Sequence, residues 1–462
     1  GFAPLPMLAT WKEGVLGLIL IIAFAEIFIR FFKVTRDKGQ GTTWFRFHMS
    51  HVTCPFDVID LCILGLLALS IVVTLYHWPV SIGRLVLGIK YDFVPLVAFL
   101  ILRRVPWSDW FQLMVQYLII TLGLIVSVYG ILTLVLPDVF FRILGYSDAH
   151  SLYIVNKPLA AFQQIAESGV RRIQSTMSGP NQLGLWLLLP WSFAVIWFTD
   201  AFINSRTWHW NNLLFWKKHE DYALGMERAA ALLILVGAAL FFSYSRSAWI
   251  GAFVIVLAVI AFLIPRKMFL KISGIGAASL LVLGIVVTIA FPKVFFRLSS
   301  SRGHIEHPIQ AWHRMWAAPL GEGLGSVGPA SARGSDTCVI LRPQDDPSWA
   351  KSSPSLCVFL GEGHQVQPDP ATYTCKCPWH PENWYLQLGV EMGVVGFVLF
   401  LILTVMMVVR GLKTVGLHPA VLAFLGVSIG ALFLHAWEDA AVAYTAWVLL
   451  ATILVHGKTR HS

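Results

Sequence analysis

The sequence predicts an all-α polytopic membrane protein, on three observations. Of its 462 residues, 57% are hydrophobic and only 13% are charged, where a soluble domain carries about 25% charge. The apolar residues fall in blocks of roughly twenty, enough for a helix to cross a hydrocarbon core about 30 Å thick. The 19 tryptophans suit a chain with two membrane–water interfaces. A mean hydropathy of +0.70 points to one membrane domain rather than several soluble ones. The net charge of +9 fits cytoplasmic Lys/Arg and contacts with anionic membrane lipids, not nucleic acid.

Eleven spans are predicted, near 14–32, 58–76, 82–102, 110–136, 181–199, 227–243, 246–264, 269–291, 384–409, 417–436 and 438–457. The third is the least regular, because Gly83, Arg84, Lys90 and Asp92 interrupt it. Basic residues of short loops set the orientation. Lys33, Arg36, Lys38 and Arg46 follow the first span, and Arg103 and Arg104 follow the third. Arg206, Lys217, Lys218 and Arg228 surround the loop after the fifth, and Arg266, Lys267 and Lys271 join the seventh to the eighth. Arg410 and Lys413 follow the ninth, and Lys458 and Arg460 end the chain. All of these fall on one side, the cytoplasmic one, which leaves 137–180 and 292–383 external. The same count places residue 1 outside and predicts one further span ahead of it, twelve in all. The chain thus divides into 1–291 with eight spans, a large external loop over 292–383, and 384–462 with three spans.

Four arginines break the positive-inside trend: Arg171 and Arg172 before the fifth span, Arg246 between the sixth and seventh, and Arg302 after the eighth. Arg246 sits in Ser243-Tyr244-Ser245-Arg246-Ser247, between two apolar runs with almost no loop. A charge at membrane depth is costly and by default a functional candidate; snorkelling to outer headgroups is the alternative. The segments show no acidic partner. Guanidinium groups match phosphate oxygens bidentately, so the expected ligand is a lipid phosphate or pyrophosphate. Ser178-Gly179-Pro180-Asn181 reads as a helix start, and a helix N-terminus also favours an anion.

In the large loop, Ile309, Trp312 and Trp316 share one face of a short helix over 307–316, expected to lie on the membrane. Gly321-Glu-Gly-Leu-Gly-Ser-Val-Gly328 lacks the lysine of a P-loop, so it reads as close backbone packing or a bend. Residues 333–379 read as an irregular cap pinned by disulfides. Cys375 and Cys377 are too close in sequence to bridge each other easily, so each is expected to pair with Cys338 or Cys357; a metal site of Cys375, Cys377 and His380 is the competing reading. The loop ends in His380-Pro-Glu382-Asn383-Trp-Tyr385-Leu386. A neutral imidazole accepts a proton near neutral pH, and Glu382 or Asn383 can orient it or bind a sugar hydroxyl. The alternative is an interfacial histidine capping a helix with Asn383. His304, His307, His313 and His364 share the loop. With no Asp-x-Asp motif, neither metal nor cofactor is expected.

Four motifs in this order resemble the O-antigen ligase and polymerase family: Arg172 through Pro180-Asn181; Ser245-Arg246-Ser247; Ser300-Ser301-Arg302-Gly303; and His380-x-x-Asn383-x-Tyr385-Leu386 followed by Glu391-x-Gly393. The resemblance covers most of the chain as a pattern of spans with one large periplasmic loop. It implies a GT-C-type glycosyltransferase fold in a Gram-negative inner membrane, working on the periplasmic face. It implies transfer of a glycan from undecaprenyl pyrophosphate to a sugar hydroxyl of lipid A-core, with inversion and without metal. On this reading His380 is the catalytic base. Arg246, Arg302 and Arg172 hold the donor pyrophosphate, and Asn383, Glu382 and Asn181 support the site or bind sugar. The family often carries a second histidine where this chain has Glu382. An O-antigen polymerase or protein O-oligosaccharyltransferase would use the same donor; a lipid-linked anion transporter is the more distant alternative.

Overall fold

The computed structural model describes residues 57–79, 81–105, 107–146, 160–165, 169–205, 226–263, 298–331, 335–341, 346–352, 354, 356–361, 364–369 and 371–454. The predicted spans 14–32 and 269–291 lie outside them, as do the basic residues of 33–46, 206–218, 266–271 and 458–460. The described chain is mostly helical, and six of its helical segments are long and apolar enough to cross a membrane.

Helix α1 (Val58–Tyr76) starts on a capping box, with Asp57 accepting from Asp60 N and Asp60 from Asp57 N. The third span is one segment, Ile82–Leu102, built from α2 (Ile82–Gly88), a π-turn (Ile89–Phe93) and α3 (Val94–Leu102). The π-turn carries Asp92, which is buried and lies beside the buried Glu391 of another helix. The polar residues that disturb this span in sequence therefore mark a bulge with a buried partner. Helices α4 (Asp109–Val135), α5 (Asp138–Ile143), α6 (Pro180–Ser205), α7 (Met226–Phe242) and α8 (Arg246–Leu263) follow. The large loop contributes α9 (Leu298–Ala317) and α10 (Gly328–Ser331). The chain closes with α11 (Trp384–Val415), α12 (Pro419–Gly430) and α13 (Ala440–Ile453). Small residues let the helices approach: a Cβ on Gly251 of α8 would sit 2.6 Å from Gly426 O of α12, the close backbone contact common in membrane bundles. Ile71, Val72, Leu75, Ile125, Ile234 and Val405 stay exposed on the outer faces, as a lipid-facing surface requires.

The boundaries depart from expectation in three places. The ninth span runs on to Val415, because Arg410 stays helical and pairs with Asp57 at 2.8 Å. The tenth is helical only over the 12 residues of α12, and residues 431–439 form a connection that is largely buried, with Leu432 and Phe433 exposed. Asp439, within the range predicted for the eleventh span, caps α13 by accepting from Ala441 N and Val442 N. The cap over 333–379, expected to be irregular, holds a three-stranded sheet. Strand β3 (Cys338–Leu341) runs parallel to β4 (Cys357–Leu360), which pairs antiparallel with β5 (His364–Gln367). Disulfides join Cys338 to Cys377 and Cys357 to Cys375, as the spacing predicted, and this overturns the metal site of Cys375, Cys377 and His380. A second ribbon, β1 (Phe162–Gln164) with β2 (Arg171–Ile173), lies between α5 and α6.

Charge sorts to two ends. At one end Arg103, 1% exposed, donates to Asp57 and Asp60, Arg104 pairs with Asp60, and Arg410 with Asp57. These residues, from the termini of α1, α3 and α11, include Arg103, Arg104 and Arg410, which the loop charges assigned to a single side. At the other end, the large loop docks on α11. Ala311 and Met315 of α9 pack with Leu386 and Val390, while Ile305, Ile309, Trp312 and Trp316 form an exposed stripe. The helix is longer than predicted, and its apolar outer face is the predicted one extended by a turn. Next, Pro319–Gly323 pairs with a break in α11: Glu322 N donates to Val390 O, Gly323 N to Glu391 O and Val394 N to Pro319 O. Gly393 makes the break, with φ 74° and ψ −175°, a region essentially closed to other residues.

A Cβ on Gly393 would lie 2.0 Å from Pro319 O, whereas Gly416, also at positive φ, has open space around it. Gly416→Ala is therefore expected to cost about 1–3 kcal/mol from backbone conformation alone. Gly393→Ala should cost clearly more and detach the loop, seen as a larger drop in thermal midpoint in detergent and faster proteolysis between residues 298 and 383.

Candidate functional site

The end of the bundle opposite the Asp57–Arg103 network gathers side chains from five parts of the chain. The α7–α8 turn comes first. Ser243 O and Tyr244 O accept from Arg172 at 3.2 and 3.4 Å, and Asn181 Oδ1 in the first turn of α6 accepts from the same guanidinium at 2.9 Å. Arg172 thus ties β2, the α7–α8 turn and α6 together, and the turn so held presents Arg246 as the first residue of α8. Ser243 Oγ caps Ser245 N at 3.2 Å, and Tyr244 takes φ 50°.

The second group comes from the large loop and the mouth of α11. His304 Nδ1 of α9 lies 3.3 Å from Glu382 Oε2. Burial, and then the nearby Arg246, His307 and Arg172, lower the proton affinity of His304. Burial raises the Glu382 carboxyl to about 7, so near neutral pH the facing pair is poised to gain or lose a proton. His380 stacks on His435, ring centroids 5.7 Å apart, and its Nδ1 is buried without a hydrogen-bond partner. Burial and the neighbouring His307 lower the proton affinity of His380. Burial, then His380 and His304, drives that of His435 down to about 3. The arrangement therefore holds neutral imidazoles and a titrating carboxyl beside two guanidinium groups.

The mouth of α11 is fixed independently. Asn383 Oδ1 caps the helix by accepting from Leu386 N at 3.0 Å, and its Nδ2 donates to Leu432 O at 2.9 Å. Trp384 N donates to Ala431 O and Tyr385 Oη to Ser428 O. Both polar atoms of Asn383 are therefore engaged in holding the site's frame.

The sequence-predicted residues divide accordingly. Arg172, Arg246, Glu382 and His380 come together around His304. Asn181 and Asn383 support from behind, one holding Arg172 and the other the helix mouth. Arg302 lies in the first turn of α9, and its side chain is outside the described residues. Arg171 does have an acidic partner: it pairs with Asp138 at 2.9 Å, covers the Phe162 ring, and donates to Thr133 O and Leu136 O at the C-terminus of α4. It is a structural clamp, and the expectation that no acid serves this group is corrected there. Two members escaped selection. His304 was one loop histidine among several, although it stands two residues past Arg302. His435 fell inside a predicted span, so nothing marked it as polar surface.

Comparison of the whole chain with protein-family models, curated proteins and solved structures finds no match among any of them. The site is therefore read from its own chemistry.

Asn383→Ala removes a cap and leaves Leu432 O without its donor. It should destabilise the folded protein by about 1–2 kcal/mol, read as a lower thermal midpoint, with the Cys338–Cys377 and Cys357–Cys375 linkages unchanged in a non-reducing peptide map.

Proposed function

We propose that the protein is a glycosyltransferase of the GT-C type that acts as an O-antigen ligase in a Gram-negative inner membrane, with its site on the periplasmic face. It takes an O-antigen glycan from undecaprenyl pyrophosphate and joins it to a sugar hydroxyl of lipid A-core. The observation that carries this reading is the meeting of Arg246 and Arg172 with His304, Glu382 and His380 at one end of an apolar helical bundle. Charged and strongly perturbed titratable groups gathered at such an end are by default candidates for ligand binding and proton transfer.

The chemistry follows from what each group can do. The acceptor hydroxyl loses its proton to a base in the His380–Glu382 segment as its oxygen attacks the anomeric carbon. The bond to the pyrophosphate breaks on the opposite face, so the anomeric centre inverts. Arg246, with Arg302 on the same donor, stabilises the departing pyrophosphate, and Arg172 keeps the Arg246 turn in place. Each charge-assisted hydrogen bond contributes about 1.5–3 kcal/mol, and only the part that strengthens as charge develops speeds the reaction. No step calls on a metal or nucleotide. The exposed stripe of Ile305, Ile309, Trp312 and Trp316 seats α9 at the bilayer surface, where a lipid-linked donor and a lipid-anchored acceptor both present their headgroups.

Reconstitution of the full chain with lipid-linked O-antigen and lipid A-core tests this directly. Glycosylated lipid A-core is expected; lengthening of the lipid-linked glycan instead would assign a polymerase, and donor movement without a new glycosidic bond a transporter. Arg246→Lys keeps the charge but loses the planar fork, and should lower kcat by about tenfold or more. Full activity in that variant would reduce Arg246 to a point charge.

A further inference from the structure

His380 is the group the sequence favours as base, yet the geometry singles out its neighbour. His380 is as partly open as Glu382, but its ring is stacked on His435 and its Nδ1 is buried without a hydrogen-bond partner, whereas Glu382 has a facing partner in His304. Glu382 and His304 stay partly open, their side chains 23% and 32% exposed, so substrate can reach them. Their facing atoms come from different elements, α9 and the mouth of α11, which the Pro319–Gly323 pairing and the Ala311–Met315 packing hold together. Glu382 also takes φ 53°, and the other two described non-glycine residues at positive φ, Ser175 and Tyr244, lie in the segments that carry Arg172 and Arg246. Backbone in this region costs about 1–3 kcal/mol per residue and persists where the surroundings enforce it, often at functional sites.

We propose that the Glu382 carboxylate is the proton acceptor of the transfer reaction and that His304 is the residue that positions it. The proposal rests on the glycosyl-transfer reading above and names the group that performs its proton step. The O–H bond of the acceptor sugar breaks, and its proton passes to a Glu382 oxygen. The freed electron pair forms the bond to the anomeric carbon, and the pair of the old bond leaves with undecaprenyl pyrophosphate. Protonated Glu382 then returns its proton to water or to the departing pyrophosphate. His304 Nδ1–H donates to the other carboxylate oxygen and orients it. Arg246, Arg172 and His307 face His304, His307 and His435 face His380, and His435 also feels His304. These positive and neutral groups favour a carboxylate over a second cation at this position. A carboxyl at about 7 is a far stronger base than an ordinary one near 4.3.

The test uses the purified full chain, lipid-linked O-antigen and lipid A-core across a range of pH. In the wild type, transfer should rise as pH increases through about 7. Glu382→Gln should lower kcat by about 10²-fold or more, with little change in KM for the donor and an unchanged thermal midpoint. His304→Phe should lower kcat less and move the rising limb to higher pH, because the carboxylate loses a donor; a merely structural role would lower activity without moving the limb. A Glu382→Gln variant as active as wild type overturns the proposal while leaving the ligase reading intact. Wild-type protein that forms no glycosidic bond with either acceptor removes that reading itself. Infrared difference spectra give a readout independent of turnover: beside the bands of other buried carboxyls such as Asp92, Glu391 and Glu438, one protonated-carboxyl component should titrate with a midpoint near 7 and be the component missing from Glu382→Gln. A wild type without that component also overturns the proposal.

Discussion

The break in α11 is the constraint on which the functional end depends. A helix that loses its hydrogen-bond ladder at membrane depth must satisfy the freed groups within the protein. At Gly393 they are satisfied by the Pro319–Gly323 backbone, and only glycine allows the approach, since any Cβ there would meet Pro319 O. The consequence reaches well past one residue. Docking the strand-like segment fixes the end of α9 against α11, and with it the distance between His304 and Glu382. The glycines at 321, 323, 325 and 328 are all at positive φ; a Cβ on Gly321 or Gly328 would meet α11, and one on Gly325 would meet the backbone of Arg84.

Buried charge works in opposite ways at the two ends. The Asp57–Asp60–Arg103–Arg104–Arg410 network is paired and hydrogen-bonded. Removing one partner of such a buried network costs about 3–5 kcal/mol, so it acts as a clamp between helices. At the other end the groups are set to change state: Glu382 is raised by burial, His304 is lowered by burial and neighbouring charge, and His380 is kept neutral. Titratable groups strongly shifted by burial and specific charged neighbours are candidates for acid–base chemistry. Burial makes loss of a partner costly in one network and shifts proton affinity in the other.

Arg171 and Arg172 show how little adjacency says about role. They alternate along β2, so their side chains leave on opposite faces of the ribbon. Arg171 closes the C-terminus of α4 with help from Asp138, and Arg172 reaches the turn that holds Arg246. A pair of arginines on an external segment reads as one cluster, and the ribbon separates it into a clamp and a site support.

Apolar block length and the placement of Lys and Arg were enough to establish a bundle of membrane-length helices, the amphipathic α9 and the pairing of each cysteine of Cys375-Lys-Cys377 with a distant partner. These are local properties, set by helix rise, by the cost of exposing polar groups to lipid, and by the reach of a disulfide. The placement of Arg172 and Arg246 near apolar runs was likewise visible, because a charge beside an apolar run is costly wherever the chain folds. The pairing of Glu382 with His304, the stacking of His380 on His435 and the bulge that lets Asp92 meet Glu391 were decided by tertiary structure alone. Each joins residues far apart in sequence, through a helix break and a docked loop whose geometry no local pattern encodes. Proton affinity depends on the depth and neighbours that such packing creates, so the chemistry of Glu382 becomes readable only once the loop is seated.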